Sequence, residues 1–278
     1  MPPGATFAVA MPPDPIDPAV LRTQGGIATF EHLAEAASTM DRARDLAAAP
    51  ATPLPALVVA DRQTSGRGRQ GARWWQPEGS LATSLVLDAA ASGGAGGSPA
   101  WSLACGVALA EAIHALEPAL APRVRWPNDV EVAGAKLAGI IAETAPRGRV
   151  IFGVGVNTTG SAAAAPAGLG RRIATVPDLV GRPLPRQTLL CAFVPRLLDL
   201  LLGMAADDGL LLARYRPLCA LAGTFVTVHR GDGARVSGPC LGIDRRGALV
   251  IDTVAGRLHL ESGSLSDPAA AWRGGDAG

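Results

Sequence analysis

Lysine is almost missing from this chain of 278 residues: Lys136 is the only one among 25 basic positions, and arginine fills the rest. Surface charge therefore rests on arginine, and the single ammonium stands apart. It lies in Lys136-Leu137-Ala138-Gly139-Ile140-Ile141, between polar loops and an apolar run. An ammonium is a compact point charge with three rotatable donors, suited to gripping a carboxylate or phosphate oxygen inside a pocket. Asparagine is nearly as scarce. Asn128 stands in Arg125-Trp126-Pro127-Asn128-Asp129, and Asn157 ends Phe152-Gly153-Val154-Gly155-Val156-Asn157. Asparagine is at home in turns, and with Lys136 the pair puts three rare polar residues into three adjacent motifs.

Other absences narrow the class. Cys105, Cys191, Cys219 and Cys240 form no C-x-x-C pair, and the four histidines are equally scattered, so no metal-ligand spacing appears. Thiols spaced this way point to a reducing compartment, and a cytoplasmic location is expected. A net charge of +1 argues against broad nonspecific binding of nucleic acid. No apolar run approaches the roughly 20 residues that span a bilayer, and no membrane partner is expected. The first 18 residues are proline-rich and lack a basic start followed by an apolar core, so they do not read as a signal peptide. Residues 1–30 are expected to be a disordered leader, and residues 267–278 a frayed tail.

What is present suits a soluble fold. Apolar residues make up 48% and charged residues 18% of the chain, and 28.2 kDa suffices for one large domain with a small one beside it. Residues 31–49 read as a loop and then a helix, with Ser38 or Thr39 as N-cap and Asp41 in the first turn. Strands are expected at 56–60, 81–87, 124–126, 137–143 and 150–156, the last two pairing as a hairpin across 144–149. Residues 101–116 form a buried helix, and 187–204 an amphipathic one kinked by Pro195. Gly/Ala-rich loops are expected over 89–99 and 160–170. From about residue 219 the texture changes. Short strands at 225–229, 235–243, 248–252 and 257–260 alternate with glycine turns, which suggests a small barrel.

The segment from Asp61 to Trp74 carries the densest chemistry: Asp61-Arg62-Gln63-Thr64-Ser65-Gly66-Arg67-Gly68-Arg69-Gln70-Gly71-Ala72-Arg73-Trp74. Its glycines allow close backbone approach, while the arginines supply fixed positive charge. Amide N–H groups and guanidinium forks could wrap a polyanion. No Gly-Lys-Ser/Thr follows, so it is not a Walker loop, and the spacing fails a dinucleotide fingerprint. Trp74 or Trp75 offers a flat face for a base or ring.

In order, Ala36-Ala37-Ser38-Thr39, Gly66-Arg67-Gly68-Arg69-Gln70-Gly71 with Trp74, Arg125-Trp126-Pro127-Asn128-Asp129, Lys136-Leu137-Ala138-Gly139-Ile140 and Gly153-Val154-Gly155-Val156-Asn157 resemble the biotin protein ligases. The resemblance runs from about residue 31 to 266. It implies an α+β fold: a mixed-sheet catalytic domain of the biotin/lipoate ligase type over residues 31–216, and an SH3-like β-barrel over 219–266. It also implies an activity, in which biotin and ATP give biotinyl-5′-AMP and the biotin passes to one lysine of a biotin carboxyl carrier protein. Mg²⁺ would accompany ATP.

By the same resemblance Lys136, Arg69, Arg67 and Asp129 are the catalytic group. Biotin would meet Ser38, Thr39, Met40, Gln63, Gly66, Arg67, Gly68, Arg69, Lys136 and Gly155. ATP would meet Arg69, Trp74, Asn128, Lys136 and Asn157, with Trp74 stacked on adenine. Asp129 would either hold Mg²⁺ or orient the incoming lysine. These assignments suit the chemistry, since a carboxylate and an α-phosphate repel and need pre-placed cations. Three positions depart from the family pattern: Ala72 for arginine, and Met40 and Ser80 for asparagine. The N-terminal helix-turn-helix of some members has no counterpart here, so no DNA partner is expected. A monomer or weak homodimer is. Lipoate ligation and non-catalytic sensing of biotinyl-adenylate are the rival readings.

Overall fold

The computed structural model describes residues 14–90, 99–166 and 173–266. The first part of the expected leader, most of the loop at 89–99 and the tail lie outside these residues. From Asp14 onward the leader is ordered, contrary to expectation. Helix α1 (Pro18–Gln24) is capped by Asp17, whose side chain accepts from the Ala19 N–H, and opens on Pro18. Proline is favoured there because the first helical N–H has no intrahelical acceptor. Leu21 and Ile27 are buried. Asp14 accepts hydrogen bonds from the Arg186 backbone N–H at 2.7 Å and from Nε at 2.9 Å. Apolar burial and this ion pair together hold the segment down.

The stretch expected as a loop is also structured. Strand β1 (Thr29–Ala36) pairs in parallel with β2 (Ala56–Gln63), with Phe30 opposite Leu57. Between them α2 (Thr39–Ala48) starts at Ser38, whose side chain accepts from Met40 N. Ser38 is the expected cap, and it stops the strand and starts the helix in one step.

Strands β3 (Leu81–Asp88), β4 (Arg123–Arg125), β5 (Asp129–Val132), β6 (Ala135–Ala145) and β7 (Arg149–Val156) complete a mixed sheet ordered β1-β2-β3-β7-β6-β5-β4. All pairs after β1–β2 are antiparallel. The expected hairpin is β6–β7, and β5 is an additional strand. Helix α3 (Pro99–Leu116) packs against α5 (Arg186–Ala206), which continues through Pro195. By length and mean hydropathy both resemble spanning helices, although Glu111 interrupts the apolar run of α3, and Arg196 and Asp199 that of α5. Here α3 lies in the core with Trp101, Leu103, Leu109 and Ile113 buried. Short helices α4 (Val176–Val180) and α6 (Leu210–Tyr215) lead to the C-terminal part.

The four expected C-terminal strands are present as β8 (Phe225–His229), β9 (Arg235–Ile243), β10 (Leu249–Thr253) and β11 (Gly256–Leu260), with a short β12 (Ser264–Leu265). They form an antiparallel sheet ordered β11-β10-β9-β8-β12. This small β domain is joined to the larger sheet near β4. Buried Trp126 donates through Nε1 to the Gly247 carbonyl at 3.2 Å, and Ala220 N donates to Val124 O at 3.0 Å.

Candidate active site

A cavity of about 760 Å³ opens over β6 and β7, between the loop after β2 and the β12 edge of the small domain. That volume suits a ligand of the size of an acyl-nucleotide. Every residue expected at the site lines it except Gly66. Gly66 sits behind the wall, where its carbonyl accepts from Trp74 N at 2.9 Å. A Cβ there would come 3.2 Å from both Gln63 Nε2 and the Trp74 carbonyl, so its role is to close the loop tightly.

One end is neutral and polar. Ser84 donates its hydroxyl to Thr39 Oγ1 at 2.8 Å, and Thr39 donates its backbone N–H to Gln63 Oε1 at 3.0 Å. Gln63 Nε2 in turn donates to Gln76 Oε1 at 3.2 Å. The amide of Gln63 is thus fixed in direction, and Ser38, Thr39 and Gln63 line this end of the cavity. Met40 fills space that a side chain at Gly153 would need, its Sδ only 2.6 Å from where a Cβ would stand. Of the other departures, Ser80 Oγ lies 3.2 Å from Thr159 Oγ1, and the Ala72 carbonyl accepts from Gly68 N at 2.6 Å.

The floor is built from glycine. Gly139 on β6 and Gly155 on β7 stand opposite each other in register, and the Trp74 ring lies on them. A Cβ at Gly155 would fall 2.6 Å from Trp74 Cε2, and one at Gly139 3.0 Å from Cζ3. Lys136 Nζ is 5.5 Å from the centre of the same ring, within range of a cation–π attraction.

Charge gathers beside this floor. Lys136 Nζ lies 2.6 Å from Asp129 Oδ1, but the angle is too poor for a hydrogen bond, and Oδ1 is left without one. Arg69 is half-buried with Nη1 3.5 Å from the Gly263 carbonyl. Burial lowers its guanidinium pKa, with Asp129 partly opposing that shift. Arg67 instead turns outward to Asp41 on α2. Glu131 also lines the cavity and was not foreseen from sequence. Burial raises its carboxyl above the usual range, although Arg125 acts in the opposite sense.

The two asparagines differ. Asn128 gives Nδ2 to the Ile140 carbonyl at 2.7 Å, while the Ile140 N–H donates to the Asn128 backbone carbonyl at 2.9 Å. That exchange spends its donor on shaping the strand. Asn157 gives Nδ2 to Ala174 O at 3.0 Å and leaves Oδ1 buried with no partner. Among the described residues, four buried side-chain polar atoms lack a hydrogen bond: Trp74 Nε1, Asp129 Oδ1, Asn157 Oδ1 and Thr158 Oγ1. The first three belong to cavity-lining residues. Unsatisfied buried groups are costly, and their concentration in one cavity marks a ligand site.

Comparison with known proteins agrees with this geometry. Residues 34–158 match the model of the biotin/lipoate A/B protein ligase family. A biotin–[acetyl-CoA-carboxylase] ligase of Mycobacterium tuberculosis is 30% identical over 89% of this chain and 94% of its own length. One from Paracoccus denitrificans is 39% identical over 43% of this chain, a match spanning about half, 51%, of that relative. The biotin protein ligase of Aquifex aeolicus, solved with biotin and ATP, has a TM-score of 0.74 at 24% identity, covering 86% of this chain and 98% of that one. That likeness concerns the fold. With the relative matched over nearly its whole length, the chain belongs to the biotin protein ligase family.

Proposed function

We propose that this chain activates biotin with ATP to biotinyl-5′-AMP and transfers the biotin to a lysine of a carboxylase carrier domain. The observation that carries this reading is the cavity itself. It joins a neutral polar end, a glycine floor and a cationic centre, and two of the residues that line it, Trp74 and Asn157, each keep a buried polar atom with no partner. The ureido head suits Ser38, Thr39 and Gln63, whose groups can both donate and accept. The valeryl chain would pass against Trp74, whose ring covers the Gly139–Gly155 floor. At the centre, the biotin carboxylate oxygen attacks the α-phosphorus, and the bond to the pyrophosphate oxygen breaks with its electron pair leaving on pyrophosphate. Lys136 and Arg69 offset the repulsion between the two anions and stabilise the charge that builds up. Asn157 Oδ1 is free to accept from an adenine amino group.

Asp129 fits a role toward Lys136 better than toward a metal. Its Oδ1 already faces the ammonium, and the described residues hold no cluster of three metal-binding side chains. Mg²⁺, when bound, would rest mainly on the triphosphate oxygens and neutralise them. In the second half-reaction the carrier amine attacks the biotinyl carbonyl carbon. A C–N bond forms, the C–O bond to phosphate breaks, and AMP leaves with the electron pair. The test is pyrophosphate release that requires both biotin and ATP. Lipoate ligation is the second reading, because the matching family model covers both acids. Isothermal titration separates them: tight lipoate binding without biotin binding would replace the first reading by the second.

A further inference from the structure

Of the three substrates in the proposed reaction, biotin and ATP are themselves anions, and only the carrier presents a cationic group of its own, the ammonium of its lysine. Two carboxylates line the cavity, Asp129 and Glu131. Asp129 faces Lys136 at 2.6 Å. Glu131 has no comparable partner. Its Oε2 lies 4.0 Å from Arg125 Nη1, too long for a hydrogen bond. The residues opposite it in register are Arg123 and Lys136. Arg123 is spent on the Cys219 carbonyl at 2.8 Å, and Lys136 on Asp129. Its side chain is only 12% exposed and lines the cavity, so a carboxylate there, with no close cation of its own, is available to a cationic group that enters.

We propose that Glu131 is a substrate-positioning residue whose carboxylate receives the ammonium of the incoming carrier lysine. This rests on reading the cavity as the ligase site and adds which residue meets the carrier. Glu131 is well placed for it. In the sheet order β5 is separated from β2, which carries Gln63, by β3, β7 and β6, so Glu131 lies away from the biotin head. It sits beside β4, next to the junction with the small β domain. The small domain contributes Gly263, Ser264 and Leu265 to the wall of the same cavity, so a macromolecular substrate that reaches Glu131 meets both domains. The docked ammonium releases its proton to water, and the resulting amine attacks the adenylate as described above.

The experiment uses the full chain, biotin, ATP and a purified unmodified carrier domain. Pyrophosphate release without carrier is measured separately from biotin transfer at varied carrier concentration. For Glu131→Gln the carrier KM should rise about tenfold, the scale of a lost charge-assisted hydrogen bond. That rise should exceed any change in the rate of pyrophosphate release several-fold. Glu131→Asp should fall between the wild type and the glutamine variant. Hydroxylamine, an uncharged nucleophile, should discharge the adenylate on Glu131→Gln with a much smaller penalty than the carrier suffers. An unchanged carrier KM in both variants would overturn the proposal. So would a loss confined to pyrophosphate release, which would give Glu131 to the nucleotide. A wild-type chain that releases no pyrophosphate would instead overturn the ligase reading, a separate failure.

Discussion

Replacing Gly155 by alanine adds one methyl group at the most crowded point of the cavity floor. The new Cβ would stand 2.6 Å from Trp74 Cε2, 2.7 Å from Nε1 and 2.8 Å from Cζ2. Carbon contacts are comfortable at roughly 3.5–4.0 Å, so the ring has to withdraw by about 1 Å. The sheet cannot yield instead, because Gly155 is held between Ala82 on β3 and Gly139 on β6. Overpacking of this kind costs about 2 kcal/mol. Trp74 lies on a loop, so the strain should appear in the site more than in global stability. Spent on adenylation, it lowers kcat/KM for biotin-dependent pyrophosphate release by ~30-fold. The double variant with Trp74→Ala removes the clash, so it should perform like Trp74→Ala alone. Strict additivity of the two single effects would refute the stacking argument.

Lys136→Ala should lower adenylation by about 3 kcal/mol of transition-state stabilisation with little change in melting temperature. Lys136→Arg should fail to restore it, because a planar guanidinium cannot occupy the space of an ammonium 2.6 Å from Asp129. At Asp61 burial pushes the carboxyl pKa up, but hydrogen bonds from His32 and Arg186 outweigh it and leave the value depressed. A depressed folded pKa stabilises above the unfolded value of about 3.9 and loses that stabilisation as pH falls through the folded one. Urea titrations should therefore show stability declining below about pH 4, and less steeply in Asp61→Asn. Finally, Lys136 is the sole side-chain amine and faces Asp129, so prolonged incubation with biotin and ATP should leave self-labelling largely on the N-terminal amine. Intact-mass spectra showing efficient labelling of Lys136 would contradict this.

The rare residues made most of the site legible in the sequence. Lys136, Asn128 and Asn157 each mark a motif, and the cavity brings all three motifs together. What stayed hidden depended on distant partners. Strand β1 carries Glu31, His32 and Glu35 at the sheet edge, where no residue is fully buried and no apolar alternation is required. Helix α1 had its Asp-Pro start in plain view, yet its order depends on Arg186, 172 residues away from Asp14. Arg67 lines the cavity, while its guanidinium also pairs with Asp41, a partner that the motif alone does not reveal. Glu131 was missed because Asp129-Val130-Glu131-Val132 is too short to stand out as a strand, and only pairing with β6 turns it toward the cavity.

The central claim is tested most directly by transfer of labelled biotin from ATP-activated biotin to a purified carrier domain in the presence of Mg²⁺. ATP-dependent label is expected on one carrier lysine, absent when that lysine is replaced by arginine and strongly reduced with Lys136→Ala. Label that appears without ATP, or lipoate accepted in place of biotin, would contradict it.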